Sequence, residues 1–127
     1  MNNIIPIETL RDLNYSKANP PVLIPAGTNL ELSFSEVNHS KAVFHFNGVR
    51  HGLLVSNLHK TVKATNGVKF RKFPSMVALE RMNNDGICTT VTGLKVEPDG
   101  IGEDGSASWL LVAGEIGRST RLNSSHT

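Results

Sequence analysis

The chain has 127 residues, of which 39% are hydrophobic and 19% charged, with a formal net charge of +2 and one cysteine. This composition argues against disorder, and the longest apolar runs are far shorter than the roughly 20 residues of a membrane span. A single cysteine excludes an internal disulfide and a cysteine-based zinc site, which fits a reducing cytoplasm. Together with the short apolar runs, this leads us to expect a cytoplasmic protein without membrane contact.

The end of the chain differs in character from the rest. Residues 119–126 read Ser-Thr-Arg-Leu-Asn-Ser-Ser-His, which is the translation of a short-read sequencing adapter in one frame. We therefore expect residues 1–117 to form a single β-rich domain and residues 118–127 to be an adapter-derived tail outside the fold. Such a tail points to an environmental assembly, in which small phage and mobile-element genes are common. Without Arg118 and Arg121, basic and acidic residues number eleven each, so the isoelectric point alone does not indicate nucleic-acid binding.

The first predicted elements are a short helix and two strands. Residues 6–13 are predicted to be helical, because a proline stands early and three apolar side chains have spacings that share a helical face. Val22–Pro25 and Asn29–Phe34 are predicted strands, and the second alternates apolar with polar residues.

The clearest local pattern is Asn47-Gly48 between alternating apolar residues, which predicts a two-residue type I′ hairpin. The register then pairs Phe46 with Val49 and His45 with Arg50. Side chains alternate along a strand, so one face of the hairpin is predicted to enter the core and the other to be basic and open. The predicted core-facing residues are Ala42, Phe44, Phe46, Val49, His51 and Leu53.

The remaining chain is predicted to contain a helix between further strands. Asn66-Gly67 suggests a second hairpin, but its pairs mix polar and apolar residues, so the alternatives are a longer turn or strands that diverge. Ser75 is a candidate N-cap for a helix with an apolar stripe that ends near Gly86. Residues 87–96 and 108–116 are predicted strands, the second of them central because its apolar residues cover both faces. We expect Trp109 and Leu111 in the core.

The segment Leu23-Ile-Pro-Ala-Gly-Thr28, followed by the hairpin and Leu53–Leu58, resembles bacterial SH3-like barrels, which often carry a Pro-Ala-Gly-Thr turn before a strand. The likeness covers about a third of the chain. It implies a small SH3-like or related barrel and no functional residue. The predicted elements taken together indicate a mainly β single domain with one or two short helices.

Charge is segregated along the chain. Residues 37–72 contain no acidic residue and carry a charge of +7, whereas residues 1–36 carry −2 and residues 73–117 carry −5. Such a block suits an anionic partner, because a local field steers association even at zero net charge. The alternative is that the basic block pairs with the acidic segment inside one fold. The candidate nucleic-acid-binding residues are Lys41, His45, Arg50, Lys60, Lys63, Lys69, Arg71 and Lys72.

Two phenylalanines, Phe70 and Phe73, interleave with three of these cations, which is suggestive of single-strand binding unless both rings belong to the core.

The patterns for other sites are weaker. His45 and His51 are predicted on opposite strand faces, which excludes a shared metal ion. Cys88 is predicted to be a buried structural residue, and the acidic loop at 97–105 lacks the ligand spacing of an EF-hand.

These observations predict a small binding protein without catalytic activity, cofactor or metal. The favoured function is nucleic-acid binding through phosphate contacts on a basic β surface, as an accessory protein of a phage or mobile element. The alternative is a protein-interaction module, of a host-takeover or anti-defence type, that binds an acidic protein surface.

Overall fold

The computed structural model describes the backbone of residues 4–120 and the side chains of residues 4–115. The predicted adapter-derived tail, residues 118–127, lies outside the described side chains and stays a prediction. In chain order the strands are β1 Ile5–Thr9, β2 Leu13–Tyr15, β3 Val22–Ile24, β4 Asn29–Phe34, β5 Lys41–Phe46, β6 Val49–Leu54, β7 Val62–Ala64, β8 Cys88–Thr89 and β9 Lys95–Val96. The helices are α1 Leu58–Thr61, α2 Met76–Asp85 and α3 Trp109–Thr120.

Five strands form one antiparallel sheet in the order β6-β5-β4-β1-β7. Two small ribbons, β2–β3 and β8–β9, complete the strand structure of the described residues. The fold is therefore mainly β with three short helices. The sheet does not close on itself, because its edge strands β6 and β7 do not pair with each other. The predicted SH3-like or related barrel is thus not supported.

The predicted hairpin is confirmed in turn and in register. Asn47 and Gly48 both have positive φ, at 54° and 80°, as a type I′ turn requires. Phe46 pairs with Val49 and His45 with Arg50. The inner face carries buried Ala42, Phe44 and His51, while Phe46 and Leu53 pack half-buried against the core and Val49 is exposed.

The predicted N-terminal helix at residues 6–13 is wrong. The segment contains β1 and the start of β2, and β1 lies between β4 and β7 in the sheet. Ile5, Ile7 and Thr9 are buried on one face, which is the two-residue period of a strand. Leu10, which the helical spacing placed with Ile7, is 48% exposed. Pairing with two neighbouring strands overrides the weak helical pattern.

The second predicted hairpin, at Asn66-Gly67, is also wrong. β7 ends at Ala64 and pairs with β1, and the chain from residue 68 to residue 75 contains no strand. Arg71 instead donates a backbone hydrogen bond to the carbonyl of Val91 at 2.7 Å. The segment after Gly67 therefore leaves the sheet and runs toward the β8–β9 ribbon.

Helix α2 agrees with its sequence signals. The Ser75 hydroxyl accepts a hydrogen bond from the N–H of Ala78, and Gly86 ends the helix in the left-handed conformation with a φ of 72°. These are the expected N-cap and C-terminal geometries. Of the predicted apolar stripe, Leu79 is buried and Met82 half-buried, whereas Met76 is exposed.

The predicted strand at residues 108–116 is wrong, because Trp109 begins helix α3. The Ser108 hydroxyl accepts from the N–H of Leu111 at 3.1 Å, the contact of a helix N-cap. Trp109 and Val112 are each 1% exposed, one helical turn apart. Burial of Trp109 is confirmed, and Leu111 packs half-buried against the core. The predicted strand at residues 87–96 is present only as the two-residue strands β8 and β9.

Candidate nucleic-acid interface

All of the predicted binding residues are solvent-exposed, as a phosphate-binding surface requires. The sheet order divides them into two groups. We call Lys41 and Arg50, on β5 and β6, the hairpin cations; His45 pairs with Arg50 in the same hairpin. The edge cations lie on α1, on β7 and in the segment after it, and they are Lys60, Lys63, Lys69, Arg71 and Lys72.

The two groups do not adjoin across the sheet, because β4 and β1 lie between β5 and β7. Three strand spacings of ~4.8 Å separate β5 from β7 by roughly 14 Å. The intervening strands come from the acidic N-terminal segment. Glu31 on β4 and Glu8 on β1 alternate with buried residues, so they share the outer face with Lys63 and His45. The acid-free stretch of sequence therefore does not become an acid-free surface.

Few of the cations are neutralised by direct ion pairs. Among the described side chains, Lys63 lies 3.9 Å from Glu8, and no other predicted binding residue has a carboxylate within ion-pair distance. Residues 37–72 contact the acidic residues 73–117 through His39, whose Nδ1 lies 3.4 Å from Glu115. In the 97–105 loop, Asp104 accepts hydrogen bonds from Thr92 and Ser106 instead. Among the described residues, the lysines and arginines of the predicted site other than Lys63 thus have no carboxylate within ion-pair distance.

One groove brings two of the edge cations together. It has a volume of about 400 Å³ and runs between β7 and residues 67–70. We call it the basic groove. Its cationic or titratable lining residues are His59, Lys63 and Lys69, and its lining includes no carboxylate. Apolar side chains, among them Leu10, Val68 and Phe70, form the rest of the wall.

His59 belongs to this groove although the sequence analysis did not select it. It is half-buried on α1, and its Nδ1 is buried without a hydrogen-bond partner among the described residues. Its place in the acid-free stretch, four residues before Lys63, was the available signal.

Two hairpin residues, His45 and Arg50, lie in less favourable surroundings for an anion. His45 lines a groove of about 590 Å³ together with Glu31. Arg50 lines another of similar volume together with Glu36 and His39. A carboxylate in each lining opposes the approach of a phosphate. The basic groove is therefore the better anion site of the three.

The remaining edge cations are held differently. The Arg71 guanidinium packs directly over Gly93, where an added Cβ would lie 2.7 Å from Nη2. This contact, with the backbone hydrogen bond to Val91, directs Arg71 toward the β8–β9 ribbon. Lys60 and Lys72 are exposed near the two ends of the 60–72 stretch.

The two phenylalanines have separate roles. Phe70 lines the basic groove and packs half-buried against the core. Phe73 is 36% exposed and meets Trp109 edge to face, with ring centroids 5.5 Å apart. The aromatic ring close to the groove cations is thus Phe70, and Phe73 serves the packing of α3.

Two other candidate residues, His51 and Cys88, are buried in the fold. His51 is 7% exposed and lies between Tyr15 and Phe44, on the face opposite His45, which confirms the predicted separation. Cys88 is fully buried with its Sγ 3.4 Å from the Met82 Sδ, which confirms its predicted burial. Within the described residues, no group of three or more His, Cys, Asp or Glu could hold a metal ion.

Comparisons of the chain with protein-family models, with curated proteins and with solved structures found no match. None of the helices among the described residues is long and apolar enough to cross a membrane.

Proposed function

We propose that this protein is a non-catalytic binding protein that binds nucleic acid through phosphate contacts, with the basic groove as the principal contact. One observation carries the proposal. Lys63, Lys69 and His59 line a single groove whose lining contains no carboxylate. Lysine ammonium groups are point charges that bind phosphate oxygens without demanding a fixed geometry.

Two further cations lie close in sequence to residues of the groove lining. Lys60 and Lys72 are exposed and have no ion-pair partner among the described carboxylates. Each phosphate that a lysine neutralises releases counterions, which gives most of the affinity of sequence-independent binding. A surface of this size suits a dissociation constant on the order of 10⁻⁴–10⁻⁶ M at physiological salt. The hairpin cations contribute at longer range, as part of the field that attracts the polyanion.

Titration of the full chain into fluorescently labelled DNA at several salt concentrations tests the proposal. We expect binding at low salt and a linear fall of log K with log salt, because binding that is driven by counterion release weakens as the salt concentration rises. Poly-glutamate of matched charge serves as the control polyanion and should compete weakly. Absence of DNA and RNA binding at low salt would contradict the proposal.

A second candidate function is binding to an acidic protein surface, and the groove around Arg50 favours it. This groove combines the Arg50 cation with apolar Val37 and Ile101, which are 89% and 49% exposed. Exposed apolar residues beside an arginine are typical of protein interfaces. Weak DNA binding together with strong competition by poly-glutamate would favour this candidate.

A further inference from the structure

We infer that the basic groove takes one nucleotide of a single strand, with the base against its apolar wall and the adjoining phosphates on Lys63 and Lys69. This inference rests on the proposed function, because it specifies which form of nucleic acid the same groove binds. Its basis is the juxtaposition of Leu10, Val68 and Phe70 with two lysines in one lining.

The apolar wall distinguishes a single strand from a duplex. A duplex stacks its bases inside and presents mainly phosphates and groove edges to a protein, so an apolar wall would gain nothing from it. A single strand exposes the flat faces of its bases, which associate with aromatic and apolar side chains. A volume of about 400 Å³ lies in the lower range of small-ligand sites, as a site for one nucleotide unit requires.

Local backbone structure places the cation and the ring side by side. Gly67 adopts a φ of 92°, which a residue with a side chain rarely adopts, and the Asn66 side chain accepts a hydrogen bond from the N–H of Val68. This turn brings the following residues alongside β7. There Lys69 is exposed while its neighbours Val68 and Phe70 are half-buried, so charge and apolar surface alternate along one wall.

Leu10, which follows β1, adds a further apolar side chain to the lining. It is 48% exposed, and its N–H donates a backbone hydrogen bond to the Thr61 carbonyl at 2.8 Å, which fixes the backbone at this position. Leu10, Val68 and Phe70 thus supply apolar surface in the same lining as Lys63 and Lys69. A base bound against this surface would lose water from one face while its phosphates contact the lysines.

Anisotropy titrations with three ligands of equal length test this inference: a thymidine oligonucleotide, an abasic strand with the same phosphates, and a duplex. We expect the thymidine strand to bind most tightly at fixed salt. Phe70→Leu keeps apolar volume and removes the ring, so it should weaken thymidine binding about tenfold and leave the abasic strand and duplex unchanged. Phe73→Leu, which removes a ring outside the groove, is the matched control and should have no effect on binding.

Leu10→Ser provides a second variant at an exposed position, for use if Phe70→Leu lowers the thermal midpoint, and it should also weaken thymidine binding selectively. Equal binding of thymidine and abasic strands, unchanged by either variant, would overturn the single-strand inference and leave phosphate binding intact. Absence of binding by all three ligands at low salt would overturn the proposed function as well.

Discussion

The ammonium of Lys63 lies 3.9 Å from the carboxylate of Glu8 across the β1–β7 pair. The two side chains are 59% and 37% exposed, so this is a surface ion pair of small energetic value. Its importance is electrostatic, because it places an acidic group of the central strand beside a lysine of the basic groove. Glu8 therefore competes with an incoming phosphate for Lys63.

Removal of this competitor should strengthen binding. We expect Glu8→Gln to tighten DNA binding about 1.4- to 5-fold at low salt, the factor that corresponds to the ~0.2–1 kcal/mol of an exposed pair. Glu80→Gln, an equal charge change on α2, is the control and should have a smaller effect. Anisotropy titration measures both, and weaker binding by Glu8→Gln would show that Lys63 is positioned by Glu8 rather than opposed by it.

Tyr15 gives a pH-dependent prediction. Its hydroxyl donates to the carbonyl of Gly52 at 3.0 Å, and its ring packs against His51. Burial raises the pKa of Tyr15 above its ordinary value of 10.0, because the phenolate loses hydration. The chain contains one tyrosine, so ultraviolet titration of the folded protein reports this group directly. We expect a midpoint above 10.0, and a midpoint at or below that value would contradict the burial.

The sign of the stability effect follows by linkage. Since the unfolded chain loses the Tyr15 proton at a lower pH than the folded protein, the unfolding free energy from this group is constant below about pH 10 and falls as pH rises toward the folded pKa. Tyr15→Phe should remove this alkaline loss, as measured by denaturant unfolding at several pH values.

Trp109 should be the most costly truncation in the core. It is 1% exposed and contacts Phe73, so Trp109→Ala is expected to lower the unfolding free energy by about 3–5 kcal/mol. Val77→Ala, at a 65% exposed position on α2, should change it by less than about 0.5 kcal/mol. Denaturant unfolding measures both, and equal effects of the two changes would contradict the assigned core.

The fold was predictable where local chemistry decides it. Asn47 and Gly48 impose a turn that few other residue pairs adopt, so the β5–β6 register could be derived residue by residue. The apolar run after Ser108 fits a strand or a helix equally well by periodicity, and the choice depends on packing against Phe73 and the core. Residues 6–13 were assigned to the wrong class for the same reason, since their pairing partners lie far along the chain.

For the candidate site too, local properties were predictable from the sequence and the long-range arrangement was not. Exposure of the eight candidate residues followed from their polarity and, for those on strands, from alternation, which are local properties. Their separation into two groups could not be foreseen, because it depends on β1 and β4 entering the sheet between β5 and β7. The place of His59 in the acid-free stretch does not single it out, because three other histidines lie in the same stretch, and only the folded chain brings it into one groove with Lys69.

The salt dependence of binding by two charge-matched double variants tests the central claim most directly. Lys63→Ala with Lys69→Ala removes two cations from the basic groove, and Lys41→Ala with Arg50→Ala removes two from the hairpin. On single-stranded DNA each lost phosphate contact should flatten the slope of log K against log salt by ~0.7. We predict a decrease of up to ~1.4 for the groove variant and less than half of that for the hairpin variant. Equal decreases, or a larger one for the hairpin variant, would contradict the assignment of the basic groove as the phosphate-binding site.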